Sequence, residues 1–488
     1  MDLLPETFAF DPDGEGTHQH RIRRLVVDGI LSGRFQPGDR MPSSRGLAKQ
    51  IGVSRITVTI AYTDLVADDY LVSRGRSGYY VSDTAPMAPS LTQSRRSYES
   101  VVDWSRLMSH RETAPDRISR PVDWQTYPYP FLYGQTDPTL FDHQNWRICA
   151  VEALGRREFD SLTADHYESD DPKLVEYIQR HILPRRGIAA RPDQILITMG
   201  AQNALWICAQ LLLTQRRRAV LENPGYPSLR QILGDTRCHM ESVDIDAEGL
   251  PPENLPEALD VLFTTVSHQC PTNAAMPLAR RKALLKKAAE GGFVIVEDDY
   301  EFELGFGRPV TPSLKALDTH GSVIYVGSFS KSLFPGLRLG YLVAPEAFVS
   351  GARRLRGTIL RHPPGLIQRT TANFLSRGHI EAQVNRMRKT YEQRRRVMEE
   401  AITETGLMIA SPPMNGGSAL WMRAPDHVDT EVLAQQLHSR GVVIEPGAAF
   451  FDPARRHRNF YRLAYSSIPA DRIPQGIRMI ADGIAQLD

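Results

Sequence analysis

Lys331 stands among residues whose types suit covalent binding of an aldehyde cofactor. Ser328 and Ser330 precede the lysine, and Arg338 follows it seven residues later. A lysine amine forms a reversible imine with an aldehyde, and hydroxyls and a guanidinium are good donors to a phosphate group. This window therefore predicts a cofactor that carries both an aldehyde and a phosphate, held on Lys331.

Pyridoxal phosphate makes further chemical demands, and the sequence offers a candidate for each. Its pyridine nitrogen needs a carboxylate, and Asp298 ends an apolar run that predicts a strand. Tyr300 is a candidate to bond the phenolic oxygen of the cofactor, and Tyr226 is a candidate to stack on the ring. Ala201 and Gln202 open a predicted helix after a glycine, where backbone N–H groups bind phosphate.

The elements that must position these residues alternate along the chain. From about residue 165 onward, helical stretches alternate with short β-branched runs, which predicts an α/β domain with a largely parallel sheet. A charged helix is expected at the entrance to a smaller subdomain, over residues 381–404. The strands are expected at residues 194–198, 218–222, 261–265, 293–297 and 323–326.

Residues 17–82 have the pattern of a winged helix-turn-helix. Apolar residues at helical spacing predict three helices, and residues 71–81 predict two short strands around a basic turn. The segment carries ten Lys and Arg against five Asp and Glu, which favours a basic surface. The third predicted helix places five apolar side chains on its inner side, namely Ile56, Val58, Ala61, Tyr62 and Leu65.

Candidate DNA contacts lie at the helix starts and in the turn between the two strands. In a helix-turn-helix, the second helix presents its first residues to the major groove, while arginines and small polar groups contact phosphates. The candidates are Ser43, Arg45, Ser54, Arg55, Thr57, Arg74 and Arg76.

Composition narrows the class of protein further. A chain of 488 residues is expected to form two or three domains. The N-terminus lacks a signal pattern, and no apolar stretch approaches a membrane span, so a cytoplasmic protein without a membrane partner is expected. The four cysteines show neither metal-ligand nor disulfide spacing, so no metal is expected.

Two windows of the first segment, residues 41–48 and 53–58, resemble the GntR-type winged-helix domain. The order of the cofactor motifs resembles fold-type I aminotransferases. Together they resemble the MocR/GabR subfamily of bacterial transcription regulators, over residues 17–82 and about 125–485. The resemblance implies a winged helix-turn-helix at 17–82, a linker at 83–125 and an aminotransferase-like α/β domain at 126–488 with large and small subdomains. The small subdomain is expected from about residue 350.

The resemblance also implies what the protein binds. Pyridoxal phosphate would sit on Lys331 as an imine, and a small amino compound would displace the lysine to form an external aldimine. Arg462 would bind the carboxylate or sulfonate of that amino acid or amino sulfonate. The protein would be a head-to-tail homodimer on double-stranded operator DNA, with the aminotransferase-like domain used as a sensor. Cys270 stands where aminotransferases have an asparagine that contacts the cofactor. Residues 167–172 lack the glycine that is common at the matching turn on the ligand side, which leaves the identity of the amine open.

Two other functions remain open from the sequence. Transamination requires the same lysine, aspartate and arginine, so the chain is also compatible with an active aminotransferase that has an accessory DNA-binding domain. A regulator of vitamin B6 metabolism that senses pyridoxal phosphate itself is the third possibility.

Overall fold

The computed structural model describes residues 3, 8, 15–86, 101–108, 120–305, 311–411 and 416–487, except for the side chain of Arg76. The chain divides into two compact units, Met1–Arg111 and Glu112–Asp488. Residues 120–125, which were expected in the linker, lie in the second unit. Within the described residues, no helix has the length and apolar character needed to span a membrane.

The first unit contains a three-helix group followed by a two-stranded antiparallel wing. Ser43 and Ser54 cap the second and third helices, because their hydroxyls accept the N–H groups of Gly46 (3.0 Å) and Thr57 (3.1 Å). Such caps satisfy donors that have no partner in the first helical turn. The elements are α1 (His18–Leu31), α2 (Ser44–Ile51), α3 (Arg55–Ala67), β1 (Leu71–Ser73), β2 (Tyr79–Val81) and α4 (Trp104–Met108).

The inner face of α3 is narrower than the sequence predicted. Val58, Ala61, Tyr62 and Leu65 are fully buried, whereas Ile56 is 71% exposed. Successive residues of an α-helix are about 100° apart, so Ile56 lies off the stripe formed by positions i, i+3, i+4 and i+7 from Val58. The prediction that Ile56 packs inside the domain was wrong, because the residue continues the apolar run but lies on the opposite side of the helix.

The second unit is built around a seven-stranded sheet. Five neighbouring strands of this sheet are parallel, and one strand runs antiparallel between this group and the last strand. Their order across the sheet is β4-β10-β9-β8-β7-β5-β6. After the short β3 (Tyr129–Pro130), the sheet strands are β4 (Ile195–Thr198), β5 (Arg218–Asn223), β6 (His239–Asp244), β7 (Val261–Thr264), β8 (Val294–Asp298), β9 (Val323–Ser328) and β10 (Gly340–Val343).

Helices cover both faces of this sheet. Ile324 packs in the apolar cluster that includes Ala204, while the next residue, Tyr325, packs in the cluster that includes Leu174. This alternation follows from the two-residue repeat of a strand and explains why the strands are apolar throughout. The helices are α5 (His143–Ala153), α6 (Arg156–Leu162), α7 (Pro172–Tyr177), α8 (Ala201–Leu212), α9 (Pro227–Asp235), α10 (Leu278–Gly291), α11 (Leu314–Leu317), α12 (Glu346–Leu360), α13 (Gly365–Ser376) and α14 (His379–Thr405).

A smaller antiparallel sheet, in the order β11-β12-β15-β14, follows α14. One apolar cluster joins Met398 of α14 to Leu463 and Ile477. The elements are β11 (Met408–Ile409), β12 (Ala419–Arg423), α15 (Thr430–His438), β13 (Val442–Val443), β14 (Glu445–Pro446), β15 (Phe460–Ala464) and α16 (Ile473–Ala485). The strand β13 pairs with β3, which ties the start of the second unit to its end.

Candidate functional site

A cavity of about 420 Å³ lies at the carboxyl ends of the parallel strands. Ligands bind at this edge in open α/β sheets, because the loops that follow the strands diverge there. All ten residues that the sequence analysis assigned to the cofactor and its ligand line the cavity: Ala201, Gln202, Tyr226, Asp298, Tyr300, Ser328, Ser330, Lys331, Arg338 and Arg462.

Lys331 follows β9 and points into this cavity. Its Nζ lies 3.7 Å from the centre of the Tyr133 ring. Burial, together with the positive charges of Arg462 and Arg120, lowers the pKa of Lys331 to about 8, although the negative charge of Glu301 opposes this shift. A larger fraction of the amine is therefore uncharged at neutral pH than in an exposed lysine, and the uncharged amine is the nucleophile that an aldehyde requires.

Asp298 and Asp299 are neighbours at the end of β8 with different surroundings. Asp299 accepts hydrogen bonds from Nε of Arg186 (2.6 Å) and from the hydroxyl of Tyr325 (2.9 Å). The Oδ1 atom of Asp298 is buried and has no hydrogen-bond partner among the described residues. Burial, with the charges of Asp299 and Glu222, raises the pKa of Asp298 to about 7.

An unpartnered carboxylate in a cavity is costly unless a ligand satisfies it. The protonated pyridine nitrogen of pyridoxal phosphate is such a donor, so Asp298 fits the cofactor that the sequence predicts. The cofactor would also restore the ionised form of the carboxylate, because a positive partner favours the charged state.

The donors for a phosphate group converge at the start of α8. Gly200 precedes the helix with φ of +83°, and a Cβ built there would lie 3.6 Å from Nη2 of Arg338. The absence of a side chain at Gly200 thus leaves the helix N-terminus open beside the guanidinium. Ser328 accepts the N–H of Ser330 at 3.2 Å, which leaves its own hydroxyl proton available for a ligand.

Three further residues line the part of the cavity where the cofactor ring would lie. Tyr226 presents an aromatic ring, and Tyr300 donates its hydroxyl proton to the carbonyl of His268 at 2.9 Å. To bond the phenolic oxygen of the cofactor, Tyr300 would have to redirect that proton. Cys270 also lines the cavity, and burial raises the pKa of its thiol to about 11, so the thiol is protonated at neutral pH.

Arg462 has a strong partner within the protein. It lies on β15 directly opposite Glu445 of β14, and its Nε and Nη2 atoms both lie 2.8 Å from Oε2 of that glutamate. The other oxygen of Glu445 accepts a hydrogen bond from Nε of Arg120 (3.0 Å), and Nη2 of that arginine lies 2.8 Å away. The side edge of the Arg462 guanidinium is therefore occupied, and its remaining N–H groups are the ones that a ligand could use.

Sequence reasoning missed several residues of the site. The charged ends of Lys331 and Arg462 both lie against the ring of Tyr133, and Cζ of Arg462 is 3.8 Å from the centre of that ring. Arg120 falls in the segment that was expected to be linker, and Glu445 lies in no recognised motif. The Leu-Tyr-Gly-Gln sequence around Tyr133 offered a weak signal, since a glycine often allows close approach of a ligand.

The predicted DNA contacts all lie in the first unit. Arg45, Arg55 and Arg74 are exposed, and the Cζ of Arg74 lies 4.6 Å from the centre of the Tyr80 ring. Ser43, Ser54 and Thr57 are at helix starts, where the two serines also serve as caps. The side chain of Arg76 lies outside the described part of the chain.

The chain matches two family models. Residues 18–81 match the family described as bacterial regulatory proteins, gntR family, and residues 140–480 match the family described as aminotransferase class I and II. Together they cover the helix-turn-helix and most of the second unit.

Individual proteins are similar over most of the chain. The HTH-type transcriptional regulator TauR of Rhodobacter capsulatus is 60% identical over 481 residues, covering 99% of each chain. The probable rhizopine catabolism regulatory protein MocR of Rhizobium meliloti is 29% identical, covering 96% of this chain and 94% of that protein. Among solved structures, the alpha-aminoadipate aminotransferase LysN of Thermus thermophilus is 27% identical with a TM-score of 0.71, covering 79% of this chain and 99% of that one.

Proposed function

Because this chain belongs to the MocR/GabR subfamily of GntR-type bacterial regulators, we propose that it senses a small amino compound at Lys331 and changes its binding to operator DNA. The chain is a transcription regulator with an aminotransferase-like domain that uses pyridoxal phosphate. The observation that carries the proposal is the cavity that brings together a lysine of lowered pKa, an unpartnered aspartate and a buried arginine.

Each residue of the cavity has a role in this proposal. Pyridoxal phosphate supplies an aldehyde that condenses reversibly with amines. Lys331 holds the cofactor through its amine, and Asp298 binds the pyridine nitrogen. Arg338, with Ser328, Ser330 and the N-terminus of α8, binds the phosphate. Arg462 binds the acidic group of the effector.

The effector acts on DNA binding only if it binds one arrangement of the protein more tightly than the other. We propose that the amine gains this difference by releasing Lys331 and by bringing its acidic group to Arg462. The first turn of α3, which begins with Arg55, then contacts operator bases, while Arg45 and Arg74 contact the DNA backbone. This activity takes place where the operator DNA lies, in the cytoplasm.

We further propose a head-to-tail homodimer, supported by the subfamily to which the chain belongs. Two winged domains in a dimer bind two half-sites, so a footprint on the operator should show two protected segments. Light scattering should give the mass of two chains, and a monomer at the concentration used for DNA binding would contradict this part of the proposal.

The test compares the affinities of cofactor-free, cofactor-loaded and amine-treated protein for operator DNA. The DNA is taken from the region next to the gene that encodes the protein. We expect the amine to change the affinity of the wild-type protein and to leave that of Lys331→Ala unchanged. Lys286→Ala, at a position with a 76% exposed side chain, is the matched control. If cofactor loading alone gave the whole response, the protein would be a sensor of pyridoxal phosphate and the proposed effector would be refuted.

Transamination is the second candidate function, favoured by the lowered pKa of Lys331. A lysine amine that is uncharged near neutral pH can take a proton from a bound substrate, which transamination requires. Turnover is therefore measured as release of keto acid or aldehyde from each amine. A rate many orders of magnitude above that of free pyridoxal phosphate would show that the domain is catalytic.

A further inference from the structure

The cavity holds two guanidinium groups bound to one carboxylate. Glu445 is fully buried, and each of its oxygens accepts a hydrogen bond from Nε of a different arginine, whose Nη2 lies 2.8 Å away. Arg120 comes from the segment before β3, and Arg462 comes from β15. Both arginines line the same cavity as Lys331.

This cluster carries one excess positive charge. Two guanidiniums and one carboxylate leave a net charge of about +1 next to the cavity, because an arginine stays protonated in proteins. Glu445 and Arg462 are buried, but the side chain of Arg120 is 32% exposed, so water partly screens this excess charge. A ligand with one acidic group would neutralise the excess, whereas a neutral amine would leave it.

The geometry places Arg120 beside the path that an amine must follow. A Cβ built on Gly134 would lie 3.1 Å from Nζ of Lys331 and 3.9 Å from Nη2 of Arg120. Gly134 has φ of +79°, a conformation that favours glycine. Because glycine has no Cβ, no side chain fills the space next to the two groups. A short amine at the position of the lysine would extend its other end over Gly134 toward the guanidinium.

We propose that Arg120 is a second anion-binding residue that makes the cavity specific for short amines with one acidic group. Arg120 and Arg462 bind that group with the N–H donors that Glu445 leaves over, and Glu445 is a positioning residue that fixes both guanidiniums. This inference rests on the proposed function, because it assumes that an amine reaches Lys331.

The test is a titration of cofactor-loaded, full-length protein, followed by the absorbance of the cofactor. The probes are 4-aminobutanoate and 2-aminoethanesulfonate, with butylamine and ethylamine as partners that lack the acidic group. Arg120→Gln should weaken binding of at least one of the acids by roughly 10- to 100-fold, the range expected for loss of a hydrogen bond to a charged group. Binding of butylamine and ethylamine should not weaken, and a loss for one acid alone would identify that acid as the preferred ligand.

Two further variants separate a specific role of Arg120 from a general effect of substitution. Arg396→Gln, at a position with a 74% exposed side chain, should match the wild-type protein. Arg120→Lys retains the charge without the planar fork, so its affinity for the acids should lie between those of the wild type and Arg120→Gln. If Arg120→Gln bound the acids as tightly as the wild type, or lost acids and simple amines equally, Arg120 would not be a specificity residue. A wild-type protein whose absorbance responded to none of the amines would refute the proposed function itself.

Discussion

The low pKa of Lys331 predicts how fast the cofactor-free protein takes up pyridoxal phosphate at different pH values. Only the uncharged amine attacks an aldehyde. With a pKa of about 8 in place of 10.5, roughly a tenth of the lysine is uncharged at pH 7, against roughly one part in three thousand for an ordinary lysine. The uptake rate should therefore rise about tenfold per pH unit below pH 8 and become constant above it.

Two substitutions should move this break in the pH profile in opposite directions. Glu301 favours the charged amine, so Glu301→Gln should move the break to lower pH. Arg120 disfavours it, so Arg120→Gln should move the break to higher pH. A substitution that only disturbed the packing of the cavity would have no reason to give this pair of opposite shifts.

The assay mixes cofactor-free protein with pyridoxal phosphate in a stopped-flow instrument and follows the absorbance at several pH values. The same measurement on Nα-acetyl-lysine gives the dependence of an exposed amine, which corrects for ionisation of the cofactor itself. A wild-type break near pH 10, or shifts of both variants in the same direction, would refute this account of the lysine.

Three other predictions concern the two units separately. Val58→Ala should destabilise the winged unit by roughly 2 kcal/mol in urea unfolding, whereas Ile56→Ala, at an exposed position, should leave stability unchanged and weaken operator binding. Asp298→Ala should release pyridoxal phosphate faster than the wild type during dialysis, because the pyridine nitrogen loses its partner. Burial raises the pKa of Glu303 to about 8 in the folded protein. Between the pKa of the unfolded chain and pH 8, the folded state holds a proton that the unfolded state releases, so the free energy of unfolding falls as the pH rises. The wild type should therefore lose stability between pH 5 and 8 in urea titrations, and Glu303→Gln should lose less.

The sequence could bring the proposed cofactor residues to one cavity because each lies next to a recognisable strand or helix end. Asp298 ends β8, and Lys331 follows β9 by three residues, so the sheet topology alone brings them to one edge. The chemistry of the cofactor then limits which residue types can serve there. For these residues, local pattern and cofactor chemistry were sufficient to predict that they share one cavity.

The anion-binding cluster could not be predicted in the same way. Arg120 and Glu445 are 325 positions apart, and neither lies in a motif. Their pairing depends on how the segment before β3 packs against the smaller sheet, which composition does not encode. The Ser-, Thr-, Pro- and Arg-rich character of residues 83–125 suggested a linker, although Arg120, near the end of that range, lines the cavity.

An effector would bind with its amino end at Lys331 and its acidic end at Arg120 and Arg462. When an amine displaces Lys331, the lysine returns to a cavity where burial and the two arginines disfavour its protonation. An acidic group bound between those arginines would cancel their excess charge, so the pKa of the released lysine would rise. A protonated lysine cannot attack the cofactor again. We therefore expect the acidic group to favour the bond between the amine and the cofactor, although it binds at the other end of the ligand. At equal occupancy of the cavity, an amine with an acidic group should displace the lysine more completely than butylamine.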